Sequence, residues 1–160
     1  MGYWGYIVAI RRPQDQERSV ALDAFGEHQQ AVADDHHGWL VRQVFGAEPD
    51  LARAVAAVAT HTQAPVVGAY ILDSDCAVVE AAAPGGARWS AVLNPNRAAE
   101  YGAPAVAPET AVTAAATWAR AAQLPYDGDL IRQVLASEET FAEDQFLALL
   151  SAMPATVVAR

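Results

Sequence analysis

The residues with the richest metal-binding chemistry gather in one short polar segment, EHQQAVADDHHG, at positions 27–38. It contains three of the four histidines and two aspartates that could complete a ligand set: His28, His36, His37, Asp34 and Asp35. By ligand type, imidazole and carboxylate together suit Zn²⁺ or another transition metal. The spacing matches no strong motif such as H-E-x-x-H. A solvated polar loop explains the cluster equally well, and we favour adventitious over dedicated metal binding.

A second constellation lies in GAYILDSDCAVVEA, residues 68–81, where two aspartates interrupt an apolar run. The flanking segments VVGAYILD and CAVVEAA have the composition of β-strands. A short polar tip between two such strands is typical of a hairpin, and Asp73 and Ser74 can bond nearby backbone amides there. We therefore favour a β-hairpin at this position.

The same stretch resembles the Asp-x-Asp that sugar-nucleotide glycosyltransferases place at the end of a hydrophobic strand. The resemblance implies that Asp73 and Asp75 hold Mg²⁺ or Mn²⁺ against a diphosphate, since these hard cations prefer oxygen ligands. It is local, because the 72 residues before Asp73 do not show the several βα units of a nucleotide-binding half. A divalent-metal enzyme acting on phosphate or sugar-nucleotide substrates is therefore our alternative function.

Several other catalytic groups are missing from the sequence. All ten basic residues are arginine, so no lysine is present for a P-loop, a Schiff base or a pyridoxal-phosphate anchor. No G-x-S-x-G or C-x-x-C motif occurs. The only cysteine, Cys76, lies in an apolar strand context, where a free thiol usually acts as a small hydrophobe. We assign no catalytic residue and no cofactor, with Mg²⁺ or Mn²⁺ as the alternative.

The net charge of −9 restricts the choice of partner. It argues against nucleic acid, because counterion release rewards clustered basic residues. The apolar runs are shorter than the roughly 20 residues that span a bilayer. The basic pair Arg11 and Arg12 follows the first apolar run, whereas a secretory signal has the reverse order. We expect a cytoplasmic protein with neither a nucleic-acid nor a membrane partner.

Acidic residues concentrate near the C-terminal end, opposed within 127–144 only by Arg132. The set is Asp127, Asp129, Glu138, Glu139, Glu143 and Asp144. A solvated helix face is the usual explanation of such a cluster. The sharper hypothesis is a docking surface for a basic protein, since a negative field steers association. Our main functional prediction is therefore a non-enzymatic interaction, inhibitor or immunity-type domain.

The elements that position these residues follow from hydrophobic periodicity and capping. Apolar runs predict strands at 3–11, 39–45, 66–73, 76–82 and 89–93. Helical spacing predicts helices at 49–62, 94–102, 109–122, 129–136 and 141–152, and a weaker one within 19–33. Thr140 and Glu143 fit a capping box for the last helix.

Strands precede most of the helices, so the predicted class is α+β. We expect a single domain: an antiparallel sheet of four or five strands within 1–102, one packed helix, a Pro/Ala linker at 103–108 and a helical part at 109–160. The first strand is apolar on both faces, with Trp4 and Tyr6 on the same side. This pattern favours an interior position, and strand pairing in a homodimer is the alternative.

Two longer segments carry a family resemblance. The aromatic opening GYWGYIVAIRR and the segment APVVGAYILDSDCAVVEA together resemble small uncharacterised proteins of GC-rich bacteria, and this resemblance implies no site. In size, acidity and α+β pattern the chain is also similar, in a general way, to toxin-immunity proteins. That similarity agrees with an interaction function but carries no shared motif.

Overall fold

A computed structural model describes residues 2–11, 28–45, 50–103, 106–138 and 140–155, and the structural statements below concern these residues. The strands are β1 (Gly5–Arg11), β2 (His28–His36), β3 (Trp39–Phe45), β4 (Val66–Leu72), β5 (Cys76–Ala82) and β6 (Arg88–Leu93). The helices are α1 (Leu51–Thr62), α2 (Pro95–Glu100), α3 (Pro108–Ala121), α4 (Gly128–Ala136) and α5 (Ala142–Ala152). None of these helices is long and apolar enough to cross a membrane.

The strands form one open antiparallel sheet in the order β2-β3-β1-β4-β5-β6. The predicted combination of an antiparallel sheet with helices is confirmed, but six strands replace the expected four or five. The additional strand is β2, so the polar loop expected around residues 27–38 is wrong over most of its length. The weak helix predicted within 19–33 is wrong over 28–33, and its remainder lies outside the described residues.

β1 lies inside the sheet, paired with β3 on one side and β4 on the other. Its central residues, Tyr6 to Ile10, are all buried, because both faces of the strand are covered. The predicted interior position is therefore confirmed, and these pairings exclude a dimer formed along β1. Trp4, expected beside Tyr6 in the core, instead precedes the strand and is 51% exposed.

Gly5 explains why Trp4 leaves the core. Its φ of 150° is in the region that favours glycine, and the Tyr3 ring lies against it, so that a Cβ on Gly5 would collide with the Tyr3 hydroxyl. The alternation of side chains that begins at Tyr6 therefore does not extend back across Gly5 to Trp4.

Helices cover both faces of the sheet. On one face, α1 packs through Val55 and Val58 against apolar side chains of β1, β3 and β4. A Cβ on Gly68 would come within 2.8 Å of Val55 Cγ1, so a glycine in β4 permits this close approach. On the opposite face, α3, α4 and α5 share a larger core with the sheet, which contains Trp39, Trp118 and Phe146.

The five helices predicted most clearly are all present, with ends that differ by a few residues. The capping box predicted from Thr140 and Glu143 is wrong. Phe141 is the N-cap of α5, no side chain caps the helix there, and Glu143 bonds elsewhere. The predicted linker at 103–108 includes residues 104 and 105, which lie outside the described residues.

Candidate functional site

The aspartate pair of the sequence lies at the tip of the β4–β5 hairpin. Leu72 pairs with Cys76, which leaves a loop of Asp73, Ser74 and Asp75. The φ angles of Asp73 and Ser74 are 52° and 58°, the left-handed values found in the type I′ turns that hairpins favour. The Asp75 amide donates to the Leu72 carbonyl at 2.9 Å. The hairpin predicted from GAYILDSDCAVVEA is therefore confirmed.

Both aspartates at the tip accept hydrogen bonds from the protein. Asp73 Oδ1 accepts from the Gly2 amide at 2.8 Å. Asp75 accepts from Arg97 Nη1 at 2.8 Å and from the Tyr101 hydroxyl at 3.1 Å. These bonds tie the N-terminal segment and the end of α2 to the hairpin. A metal ion at Asp75 would have to compete with the guanidinium of Arg97.

Ser74 connects the hairpin to two further parts of the chain. Its amide donates to the Tyr3 carbonyl at 2.9 Å, and its hydroxyl accepts from the Tyr3 amide at 2.7 Å. The hydroxyl also donates to Glu143 Oε1 at 2.6 Å, and the carbonyl accepts from the Ala142 amide at 2.8 Å. Ser74 thus satisfies the first turn of α5 in place of a local capping box.

This role of Ser74 was not predicted from the sequence, because the bonded residues are 69 and 71 positions away. Local patterns identify a capping residue only when it precedes its own helix. The other Glu143 carboxylate oxygen, Oε2, is buried without a hydrogen-bond partner in the described part of the chain. Burial raises the pKa of Tyr3; a hydrogen bond with Gln43 opposes this shift, and the negative charge of Glu143 adds to it.

Cys76 begins β5 next to the tip and is fully buried with Val92 and Ala98. Burial, assisted by the charge of Asp75, raises the pKa of its thiol to about 11. The thiolate is the nucleophilic form of cysteine, so the thiol is held in its unreactive form near neutral pH. This environment agrees with the packing role expected from the sequence.

The histidine-rich segment forms β2 and the turn that follows it. His36 Nε2 lies 2.9 Å from the Leu147 carbonyl oxygen and 3.1 Å from Ser151 Oγ, both on α5. The turn residues His37 and Gly38 have φ angles of 52° and 88°. The His37 carbonyl accepts from the Ala155 amide at 2.8 Å, just beyond the end of α5.

Of the predicted histidine ligand set, the structure describes the side chains of Asp35, His36 and His37. The rings of His36 and His37 meet edge to face with centroids 4.9 Å apart. Asp35 Oδ1 accepts from the Gly38 amide at 2.8 Å. The side chains of His28 and Asp34 lie outside the described set. Among described side chains, no group of three or more His, Cys, Asp and Glu is arranged to hold a metal ion.

The predicted acidic residues are divided between the two ends of the α4–α5 pair. Asp127 caps α4 by accepting from the Asp129 and Leu130 amides, and its own amide donates to the Ala152 carbonyl at the end of α5. Asp129 lies 3.1 Å from Arg132. This end therefore holds Asp127 and Asp129.

The remaining described acids lie at the opposite end, since the nine residues of α4 span about 13 Å. Glu138 accepts from Asn96 Nδ2 at 2.9 Å, which connects this end to α2. Glu143 accepts from Ser74, and Asp144 is exposed in the first turn of α5. Glu139 lies outside the described residues.

Exposed aromatic side chains surround the hairpin tip. Trp4 is 51% exposed, Tyr101 37% and Phe141 53%. The rings of Trp4 and Tyr101 meet edge to face with centroids 5.7 Å apart. We call this region the hairpin-tip surface, and it comprises Trp4, Asp73, Asp75, Arg97, Glu100, Tyr101, Glu138, Phe141, Glu143 and Asp144. This surface was not predicted from the sequence, because Trp4 was expected in the core.

Comparison of the chain with models of known protein families, with curated proteins and with solved structures found no match. Function is therefore inferred from the side chains described above.

Proposed function

We propose that this protein is a non-enzymatic cytoplasmic interaction domain, of the inhibitor or immunity type, that binds a basic protein through the acidic surface of its C-terminal helices. The observation that carries the proposal is the exposure of Asp129 on α4, Asp144 on α5 and Glu138 between the two helices, in a chain of net charge −9. Exposed carboxylates of one sign produce a field that raises the association rate of an oppositely charged partner.

The few basic side chains nearby do not cancel this field. Arg132 Nε lies 2.9 Å from Glu109 Oε1, and Arg132 Nη1 lies 3.1 Å from Asp129. Hydrogen bonding and the charge of Arg132 lower the pKa of Glu109, which keeps that carboxylate ionised. One arginine therefore stands between two carboxylates, and the surface keeps its negative sign.

A synthetic nona-arginine peptide provides a direct test of this proposal. We expect it to bind the wild-type chain in a salt-dependent manner, measured by isothermal titration at low and high salt. The triple variant Asp129→Asn/Glu138→Gln/Asp144→Asn is expected to bind about tenfold more weakly, because it removes three exposed charges. Glu80→Gln, which changes a carboxylate on β5, is the matched control and should retain the wild-type affinity.

Equal affinity of the wild-type chain and the triple variant would contradict the proposal. Absence of salt-dependent binding by the wild-type chain would contradict it as well.

A further inference from the structure

We infer that the hairpin-tip surface is the anchor of the binding site and receives an arginine side chain of a basic partner protein on Trp4 and Tyr101. This inference rests on the proposed function, and it adds the place of contact and the chemistry of the contacting group. Large exposed aromatic residues are the commonest anchors of protein interfaces.

The four tryptophans differ in a way that singles out Trp4. Trp39 and Trp89 are buried and donate their indole N–H groups to the carbonyls of Met153 and Ala111 at 2.8 and 2.9 Å. Trp118 is buried in the same core. Only Trp4 among the four presents its ring to solvent. Packing in the core explains why a tryptophan stands at each of the three buried positions, but it does not explain the tryptophan at position 4.

The charges around Trp4 select a cationic partner. Arg97 is the only basic residue of the hairpin-tip surface, and it pairs with Asp75. The acids of the surface are Asp73, Asp75, Glu100, Glu138, Glu143 and Asp144. A guanidinium can stack on an aromatic face while its N–H groups bond to carboxylates in the same plane, which an ammonium cannot do. Arginine therefore fits this surface better than lysine.

The aromatic pair is held in place by the fold itself. Tyr3, beside Trp4, accepts a hydrogen bond from the Ser74 amide and donates its own amide to the Ser74 hydroxyl. The Gly2 amide donates to Asp73 Oδ1. A Cβ on Gly2 would collide with the Asp73 carbonyl oxygen, so the N-terminal segment lies directly against the tip. The Tyr101 hydroxyl is fixed by Asp75. Such preorganisation lowers the entropy lost when a partner binds.

At the opposite end of the α4–α5 pair, an arginine of the chain itself already lies over an exposed tyrosine ring. There the guanidinium carbon of Arg120 lies 5.8 Å from the centroid of the exposed Tyr126 ring. That aromatic face is covered by a cation of the protein itself. We therefore place the partner's arginine at the hairpin tip and use Tyr126 as the control position.

The four indole N–H signals in a ¹H–¹⁵N spectrum provide the test, with nona-arginine as the probe. We expect the Trp4 indole signal to shift during a low-salt titration, while the signals of Trp39, Trp89 and Trp118 stay in place. Trp4→Ala should weaken binding about tenfold or more, as expected for an interface anchor. Trp4→Phe should keep most of the affinity, Tyr126→Ala should change nothing, and nona-lysine should bind more weakly than nona-arginine.

The outcomes separate this inference from the proposed function. If nona-arginine binds and the acidic triple variant weakens it, but the Trp4 indole signal does not move, the inference is overturned and the proposed function stands. If no basic peptide binds, both are overturned. If Trp4→Ala proves unfolded by its own spectrum, the wild-type indole shift and the Trp4→Phe affinity decide the question.

Discussion

Two hairpin turns at opposite ends of the sheet hold the two ends of α5. At one end, Ser74 of the β4–β5 tip receives the Ala142 amide and bonds to Glu143. At the other, the β2–β3 turn contacts α5 through His36 and receives the Ala155 amide on the His37 carbonyl. Both constellations that suggested metal sites in the sequence therefore include one of these turns, and the polar groups of each turn bond to α5 or to the residues that flank it.

The difference between the two turns lies in the tryptophan beside each one. Trp39, next to the β2–β3 turn, is fully buried and bonded to the Met153 carbonyl. Trp4, next to the β4–β5 tip, is half exposed and contacts Tyr101. Both turns bond to α5 or to residues that flank it, but the tryptophan is exposed beside the β4–β5 tip and buried beside the β2–β3 turn. In our proposal the exposed Trp4, rather than the polar residues of either turn, marks the binding site.

The largest expected effect separates the two tryptophans by stability. Trp39→Ala empties a buried site and leaves the Met153 carbonyl without its donor, so we expect a loss of about 3–5 kcal/mol in the free energy of unfolding. Trp4→Ala should lose no more than about 1 kcal/mol, because its ring is half exposed. Urea unfolding followed by circular dichroism measures both. Similar losses for the two variants would show that the buried and the exposed tryptophan contribute equally to stability.

A smaller effect is expected at the tip itself. Ser74→Ala removes the hydroxyl that bonds the Tyr3 amide and Glu143, so we expect a loss of about 1–3 kcal/mol. Ser90→Ala is the matched control, because its hydroxyl bonds Glu80 at an exposed site and should cost no more than about 0.5 kcal/mol. The same urea titration compares the two. A Ser74→Ala variant as stable as Ser90→Ala would show that the Ser74 hydroxyl does not hold α5 to the tip.

The sequence predicted most of the fold because most elements are buried and strongly periodic. β1, β4 and β5 were predicted from their apolar runs, and the helices from their apolar stripes and caps. β2 was missed because it is an edge strand with irregular register at Ala31, Ala33 and His36, so its exposed side chains show no clean alternation. The sequence of β2 therefore gives only a weak β-strand signal.

The candidate site was harder to predict than the fold. The bonds that define it join Gly2 and Tyr3 to residues 71 positions away, and no local pattern encodes such a pairing. The acidic residues of 127–144 were predicted as one surface, but α4 separates them into two groups. The exposure of Trp4 depends on the positive φ of Gly5, which the alternation of apolar residues does not reveal.

Amide hydrogen exchange of Ala142 and Ala155 tests most directly whether the two turns hold α5 independently. We expect Ser74→Ala to accelerate exchange mainly at Ala142, and His36→Ala, which removes a bond worth about 1 kcal/mol, to accelerate it mainly at Ala155. In each variant the increase at the nearer amide should exceed that at the farther amide by about fivefold or more. Equal acceleration at both amides in both variants would show that the two turns do not hold the ends of α5 independently.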